Sequence, residues 1–393
     1  MTRFIHTADW QLGKPFSRVS DPDQQAALRS QRLETINRIA AVARDRQASF
    51  IVVAGDVFDS HRPPDQLISK ALGRIGQIGL PVYMIPGNHD YGDPGSLWLT
   101  DHFQRENREL APNLTVLLDA EPVLRDDAIL LPCPLLQRQQ LTDPTGWIRG
   151  LDFTAFDDRP RIVLAHGSTV NFQGEADDED ESTQVNFIDL DRLGDRLGEL
   201  DYIALGDWHG FQQAGDKAWY AGSHETDRFP KSGQLTGQIA DVRVTRAGAP
   251  EVEPVKTGVF DWFEHEETFV AADGPGKLDA YLQQRTAAGT AINSAVVKLR
   301  LVGHLGLEGH QELLAMLKTW RARFVDLRDE YNVALQPTAS ELNALTTRAD
   351  DPLISGVARI LVDEIDQGGE AGEVAAIALT LMYQQVGQLE RSQ

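Results

Sequence analysis

The chain has 393 residues, 41% of them hydrophobic, with a formal net charge of −22, which is length enough for two or three domains. So acidic a chain is poorly suited to tight, unaided binding of nucleic acid, and no run is long and apolar enough for a membrane span. The single cysteine, Cys133, rules out an intramolecular disulfide framework and suits a reducing cytoplasm.

The N-terminus goes straight into RFIHTADW, without a signal-peptide layout. A first apolar strand ends near Asp9. The stretch from Asp21 to Gln47 then reads as a helix, with Asp21 as its cap, Pro22 in its first turn, and Ile36, Ile39 and Val42 on its buried stripe. Further apolar runs follow at FIVVAGD, PVYMIPG, LTVLLDA, AILLPCP, RIVLAHG, DYIALGD, AWYAGS and IADVRV. Several end in Asp, Asn, His or Gly, as buried strands do when they deliver polar residues to one edge of a sheet. Cys133 reads as a strand-end core residue, and His6 as a strand histidine packed inside the sheet edge or supporting a ligand. GEADDEDES (Gly174 to Ser182) reads as a solvated acidic loop.

Near Thr257 the texture changes to a compact mixture of strands and helices. In VVKLRLV, Val297, Leu299 and Leu301 share one face, and Lys298 and Arg300 the other. The end of the chain holds two amphipathic helices, one repeating Leu353, Val357, Ile360 and Leu361, the other Val374, Ile377, Leu381 and Met382. They suit either packing on the main body or docking of a partner.

Five short motifs carry chemistry: Asp9 with Gln11; Gly55, Asp56 and Asp59 in GDVFD; Gly87, Asn88, His89 and Asp90 in GNHD; His166 in LAHG; and Gly206, Asp207 and His209 in GDWHG. Each follows a predicted strand, and open α/β sheets collect ligands at the C-terminal ends of their strands. Each motif is common alone; five in this order are hard to obtain by chance.

The order resembles the calcineurin-like metallophosphoesterase superfamily. FIHTADWQLGKPF, GDVFDSHRPP, IPGNHD and WYAGSHETDRF are similar in finer detail to the SbcD-type DNA-repair nucleases. The resemblance implies an α/β, four-layer sandwich of two facing β-sheets flanked by helices over residues 1–256. It also implies a small α+β capping domain over 257–340 and a helical C-terminal tail over 341–393, the last a candidate partner-docking hairpin. It implies two divalent cations: one held by Asp9, Gln11, Asp56 and His209, the other by Asp56, Asn88, His166 and Asp207, with Asp56 bridging. Such a pair activates a water for in-line attack on phosphorus. His89 would protonate the leaving oxygen or stabilise developing charge, oriented by the Asp59 carboxylate.

The chain departs from the family pattern where Gln11 and Asp207 replace histidines. Both exchanges swap nitrogen for oxygen, which favours Mn²⁺, or Mg²⁺, over Zn²⁺. His224 replaces a proline and is a candidate substitute ligand, support for a ligand, or DNA contact. Lys14, Arg18, Arg62, Arg228 and Lys231 follow the motifs and are candidates for phosphate contact. The implied function is a metal-dependent DNA exo- or endonuclease of DNA repair, working with an SMC-like coiled-coil ATPase of the SbcC type; a second copy of the chain is a further candidate partner. Two rivals stand beside it: a degenerate scaffold or DNA-clamping subunit, and a phosphatase or cyclic-nucleotide phosphodiesterase on the same core.

Overall fold

The computed structural model describes residues 1–170, 185–231, 233–270, 274–287, 292–349 and 351–391. The acidic run from Gly174 to Ser182 lies outside them. The chain divides into two compact units, Met1–Phe260 and Asp261–Gln393.

In chain order the first unit runs β1 (Thr2–Thr7), α1 (Pro22–Asp45), β2 (Ile51–Ala54), α2 (Asp65–Gly76), β3 (Val82–Ile85), α3 (Asp101–Leu110), β4 (Leu114–Val116), β5 (Val123–Leu124), β6 (Ile129–Cys133) and β7 (Arg161–His166). It continues with β8 (Ser168–Thr169), β9 (Phe187–Ile188), β10 (Tyr202–Gly206), β11 (Gln212–Gly215), β12 (Ala218–Tyr220), β13 (Gln238–Val244) and β14 (Glu251–Lys256). Two six-stranded sheets result, ordered β14-β13-β1-β2-β3-β4 and β11-β12-β10-β7-β6-β5. β1 to β4 run parallel in the first, and β6, β7, β10 and β12 run parallel in the second.

Strand alternation sets the layers. Phe4, Val52 and Ile85 face a core shared with Leu130, Ile162, Leu164, Tyr202 and Ala204 of the other sheet. Their neighbours Ile5, Ile51 and Val53 face outward, onto Ile36 and Ile39 of α1 and Ile68, Leu72 and Ile75 of α2. The outer side of the second sheet buries Ile129, Val163, Ile203 and Leu205 against Ile148 and Leu193, which lie in short 3₁₀ segments. This is the expected α/β sandwich of facing sheets with helical outer layers. The α1 start follows the sequence: the Asp21 carboxylate accepts from the backbone N–H groups of Asp23 (2.8 Å) and Gln24 (3.4 Å). His6 packs edge-on to Tyr202 between the sheets, its Nδ1 2.9 Å from the phenol oxygen. Cys133 is a core residue, its thiol pushed up to about 12 by burial.

The second unit comprises β15 (Asp261–Phe269), α4 (Gly276–Ala287), β16 (Ala295–Leu305), α5 (Leu307–Arg321), β17 (Asp326–Leu335), α6 (Ala339–Thr346), α7 (Pro352–Gln367) and α8 (Gly369–Arg391). Its strands form a parallel sheet, β15-β16-β17, with α4 and α5 as the crossovers. Val297, Leu299 and Leu301 are buried against Leu278 and Leu282 of α4 and Leu313, Leu317 and Trp320 of α5. On the other face Lys298 pairs with Glu264 and Glu330 on its neighbouring strands, both at 3.3 Å. α6, α7 and α8 share a small core of Leu345, Ala358 and Leu379, with Leu361 and Met382 packed on it. The rest of the apolar stripe is exposed: Leu353 is 76% accessible, Ile360 61%, Val374 62% and Ile377 64%. No helix among the described residues is long and apolar enough to cross a membrane.

Candidate functional site

The five motifs lie at or just beyond the C-terminal ends of β1, β2, β3, β7 and β10. Beyond their strands, the first two loops stay paired. The N–H groups of Asp9, Gln11 and Leu12 donate to the carbonyls of Gly55, Asp56 and Val57 at 3.2, 2.8 and 2.9 Å, and Asp59 N–H returns to Leu12 at 3.1 Å. The accompanying cost is backbone strain. Asp9 (φ 51°), Asp56 (φ 53°) and Asp207 (φ 104°) all lie at positive φ, where residues other than glycine are uncommon.

Close approach explains two glycines. A Cβ on Gly87 would stand 2.1 Å from Asp56 Oδ1, and one on Gly55 2.3 Å from His166 Nδ1. With both bare, carboxylate oxygens of Asp9 and Asp56 and a ring nitrogen of His166 all fall within 4.8 Å of one another. These residues come from both sheets, and all three are buried. Asn88 Oδ1 lies 2.9 Å from His166 Nε2, with Asp56 Oδ1 at 3.5 Å and Asp207 Oδ1 at 3.9 Å. Asp207 is anchored by its own N–H, which donates to Asp9 Oδ1 (3.1 Å), and by the Ser168 hydroxyl, which donates to its Oδ2 (3.1 Å).

This half of the site calls for positive charge. Both ring nitrogens of His166 face acceptors, since Nδ1 donates to the Ala54 carbonyl at 2.8 Å. Burial works against its protonation, but Asp56, Asp9 and Asp207 overcome it and raise the imidazole to about 9. Burial, outweighing the attraction of His166, and then the neighbouring Asp56 and Asp207 push Asp9 up to about 7. A divalent cation on the Nε2 side of His166 would satisfy the same oxygens, with the Nδ1–H bond to Ala54 fixing the ring as ligating histidines require. The donors Asp9, Asp56, Asn88, His166 and Asp207 therefore fit a metal.

His89 sits beside this cluster, half-buried. Its N–H donates to Asp56 Oδ1 at 3.0 Å, and its Nε2 lies 3.9 Å from Asp56 Oδ2. Its Nδ1 donates to the backbone carbonyl of Asp59 at 3.0 Å. Asp59 thus orients His89 through its main chain; the expected carboxylate–imidazole pair is not what holds the ring. Burial disfavours the charged imidazole, but Asp56 and the Asp59 carbonyl outweigh it and raise its pKa.

Residues 2–240 match the family described as calcineurin-like phosphoesterase. The chain belongs to that family. Over 95 residues it is 36% identical to the SbcD component of the SbcCD nuclease of Bacillus subtilis (strain 168), a match spanning 23% of this chain and 22% of that protein. Among solved structures, TT1561 of Thermus thermophilus superposes with a TM-score of 0.39 at 11% identity, over 65% of this chain and 99% of that one. Another superposes at 0.40 and 13% identity, over 64% of this chain and 98% of that one.

Within this phosphoesterase, the other predicted ligands are engaged elsewhere. Gln11 is buried, and its Oε1 accepts from the Lys14 ammonium at 2.8 Å. Lys14 also pairs with Asp227 Oδ2 at 3.1 Å. His209 Nδ1 lies 2.9 Å from the same Asp227 oxygen, and Arg228 Nη2 lies 3.1 and 3.3 Å from the two ring nitrogens of His209. Burial, then Arg228, push His209 down to about 4. These residues do not fit a metal as arranged, because their acceptor atoms already meet donors.

His224 is neither ligand nor DNA contact. It is fully buried; its Nε2 donates to the Arg32 carbonyl at 2.7 Å, and its ring packs near Trp10. Burial, then Arg32, push it down to about 3. Of the five candidate phosphate contacts, Arg18, Arg62 and Lys231 are exposed, whereas Lys14 and Arg228 turn into the Asp227 network.

Three supporting roles are not assigned from the sequence. Asp227 gathers Lys14, His209 and Arg228. Arg32, fully buried on α1, donates Nε to the Trp10 carbonyl (2.8 Å), Nη1 to that of Glu225 (3.0 Å), and Nη2 to the Asp9 carbonyl (2.8 Å) and Ser223 Oγ (3.0 Å). Asp90 bridges the second and third motifs, accepting from Phe58 N–H (3.0 Å) and Gly87 N–H (2.7 Å). The spacing of Arg32 from Ile36 and Ile39 puts it on the buried stripe, a signal for an interior arginine.

Proposed function

We propose that this phosphoesterase is a divalent-cation-dependent DNA nuclease, exo- or endonucleolytic, acting in DNA repair in the cytoplasm with a coiled-coil ATPase of the SMC type. The observation that carries the reading is the convergence of Asp9, Asp56 and His166 at the edges of two sheets, beside a partly exposed His89. The likeness to a component of the SbcCD nuclease supports DNA as the substrate.

A divalent cation held by Asp9, Asp56, Asn88, His166 and Asp207 would polarise a phosphoryl oxygen and ease ionisation of the attacking water. So oxygen-rich a set suits Mn²⁺ or Mg²⁺ better than Zn²⁺. The protein's own groups do the rest. Asp56 fixes the His89 main chain, and the Asp59 carbonyl takes the Nδ1 proton. Nε2 is then the atom that passes a proton to the leaving oxygen. Arg18, Arg62 and Lys231, exposed after the first, second and fifth motifs, would meet backbone phosphates.

Two features support a partner. A net charge of −22 opposes capture of DNA by this chain alone, and the tail leaves Leu353, Ile360 and Ile377 exposed on successive helices. An amphipathic hairpin of this kind suits docking onto a helical partner.

The test is cleavage of linear duplex DNA with Mn²⁺, with and without the ATPase encoded nearest the gene. Metal-dependent cleavage, enhanced by the ATPase, is expected. Hydrolysis of phosphomonoesters or cyclic nucleotides with no cleavage of DNA in either condition would overturn the reading.

A further inference from the structure

We propose that the site holds one divalent cation, and that the Lys14 ammonium, seated on Gln11 and Asp227, supplies fixed positive charge where the resemblance implies a second. This rests on the metal-dependent reading above and deepens it. The two halves of the site differ in what their donor atoms face. Around His166, acceptors meet acceptors: Asn88 Oδ1, Asp56 Oδ1 and Asp207 Oδ1 all look toward one ring nitrogen. A positive charge on that side, either a metal ion or the second proton of an imidazolium, reconciles them.

Around His209 every acceptor already has its donor. Gln11 Oε1, the oxygen that would replace a ligating imidazole, receives Lys14 Nζ at 2.8 Å. Asp227, the carboxylate of this half, pairs with Lys14 at 3.1 Å, Arg228 at 3.5 Å and Arg32 at 3.9 Å. The His209 ring has Asp227 on Nδ1 at 2.9 Å and the Arg228 guanidinium within 3.3 Å of Nε2. A dication here would have to displace an ammonium and a guanidinium and face their charge at short range, unpaired.

Gln11 and Lys14 are therefore one change read twice. An imidazole at position 11 with its lone pair toward a metal would leave Lys14 with Asp227 alone as its acceptor. A glutamine carbonyl accepts the ammonium and cannot chelate strongly. The fixed charge also needs no loading, so it serves at any metal concentration.

The test is metal stoichiometry in the whole chain, stripped with chelator and reloaded with Mn²⁺. Elemental analysis is expected to give one Mn²⁺ per chain, with the electron paramagnetic resonance of an isolated ion. Two per chain with a spin-coupled spectrum would overturn this inference and leave the metal-dependent reading standing. None would overturn both. The triple variant Gln11→His, Lys14→Ala, Arg228→Ala removes both donors and restores an imidazole. It is expected to take a second Mn²⁺ coupled to the first; a folded triple variant that still holds one would overturn the role given to Lys14 and Arg228. Should the triple variant not fold, the wild-type stoichiometry decides.

Discussion

Replacing Arg32 by methionine should destabilise the first unit severely, although its side chain meets the candidate ligand Asp9 only at the backbone carbonyl. The guanidinium serves four acceptors: the carbonyls of Asp9, Trp10 and Glu225, and the Ser223 hydroxyl. It also stands 3.9 Å from Asp227. Methionine fills similar volume but takes one donor away from each of the four buried acceptors, at roughly 1–3 kcal/mol for each that finds no other. Ser223 has one hydroxyl proton within reach of the carbonyls of Asp9 (3.0 Å) and Glu225 (2.8 Å), so one of those oxygens keeps a donor. The net loss then settles near the ~3–5 kcal/mol typical of breaking one side of a buried charge pair. For a unit of this size that lowers the Tm by about 6–20 °C. Urea denaturation of the full chain, followed by near-ultraviolet circular dichroism, would measure it. Arg32→Lys restores charge without the forked geometry and should recover only a minor part. A loss below about 1 kcal/mol in Arg32→Met, or full recovery in Arg32→Lys, would refute the account.

His89→Ala should retain Mn²⁺ affinity, measured by calorimetry, and lose about 10²–10⁴-fold in cleavage rate, the usual cost of removing a general acid. Gly87→Ala should weaken metal binding and lower the Tm of the first unit, because the new methyl would stand 2.1 Å from Asp56 Oδ1 and 2.4 Å from the Asp56 main-chain nitrogen, so the metal-binding loop itself must shift; unchanged Mn²⁺ affinity would show that Asp56 is not where the cation binds. The triple change Leu353→Glu, Ile360→Glu, Ile377→Glu should leave the Tm within a degree or two, since all three side chains are exposed, and abolish association with the ATPase in sedimentation; undiminished association would place the docking surface elsewhere.

Local pattern and tertiary choice were legible to different degrees. Asp9, Asp56, Asn88, His166 and Asp207 sit where strand ends put them, and a strand end is a local property: an apolar run followed by a polar residue. The helix cap at Asp21 is equally local. The partners of those side chains are not. Lys14 reads as a surface charge after the first motif until Asp227, more than two hundred residues on, is folded against it. His224 stands in a segment that tracks the site, and only the Arg32 carbonyl behind it shows which way the ring points. Edge strands were the other blind spot. β14 is exposed apart from half-buried Val252 and Val255, with no apolar run to announce it.

The positive φ angles at Asp9, Asp56 and Asp207 set this molecule's stability against its chemistry. Each such position costs on the order of 1–3 kcal/mol, and glycine at any of them would release the strain while also removing one of the crowded negative charges. A library selected for heat resistance alone should therefore enrich Asp→Gly and Asp→Asn changes at these three positions first. The survivors would be sturdier sandwiches with a depleted donor set, and thermal robustness would be a misleading guide to which of them still act as phosphoesterases.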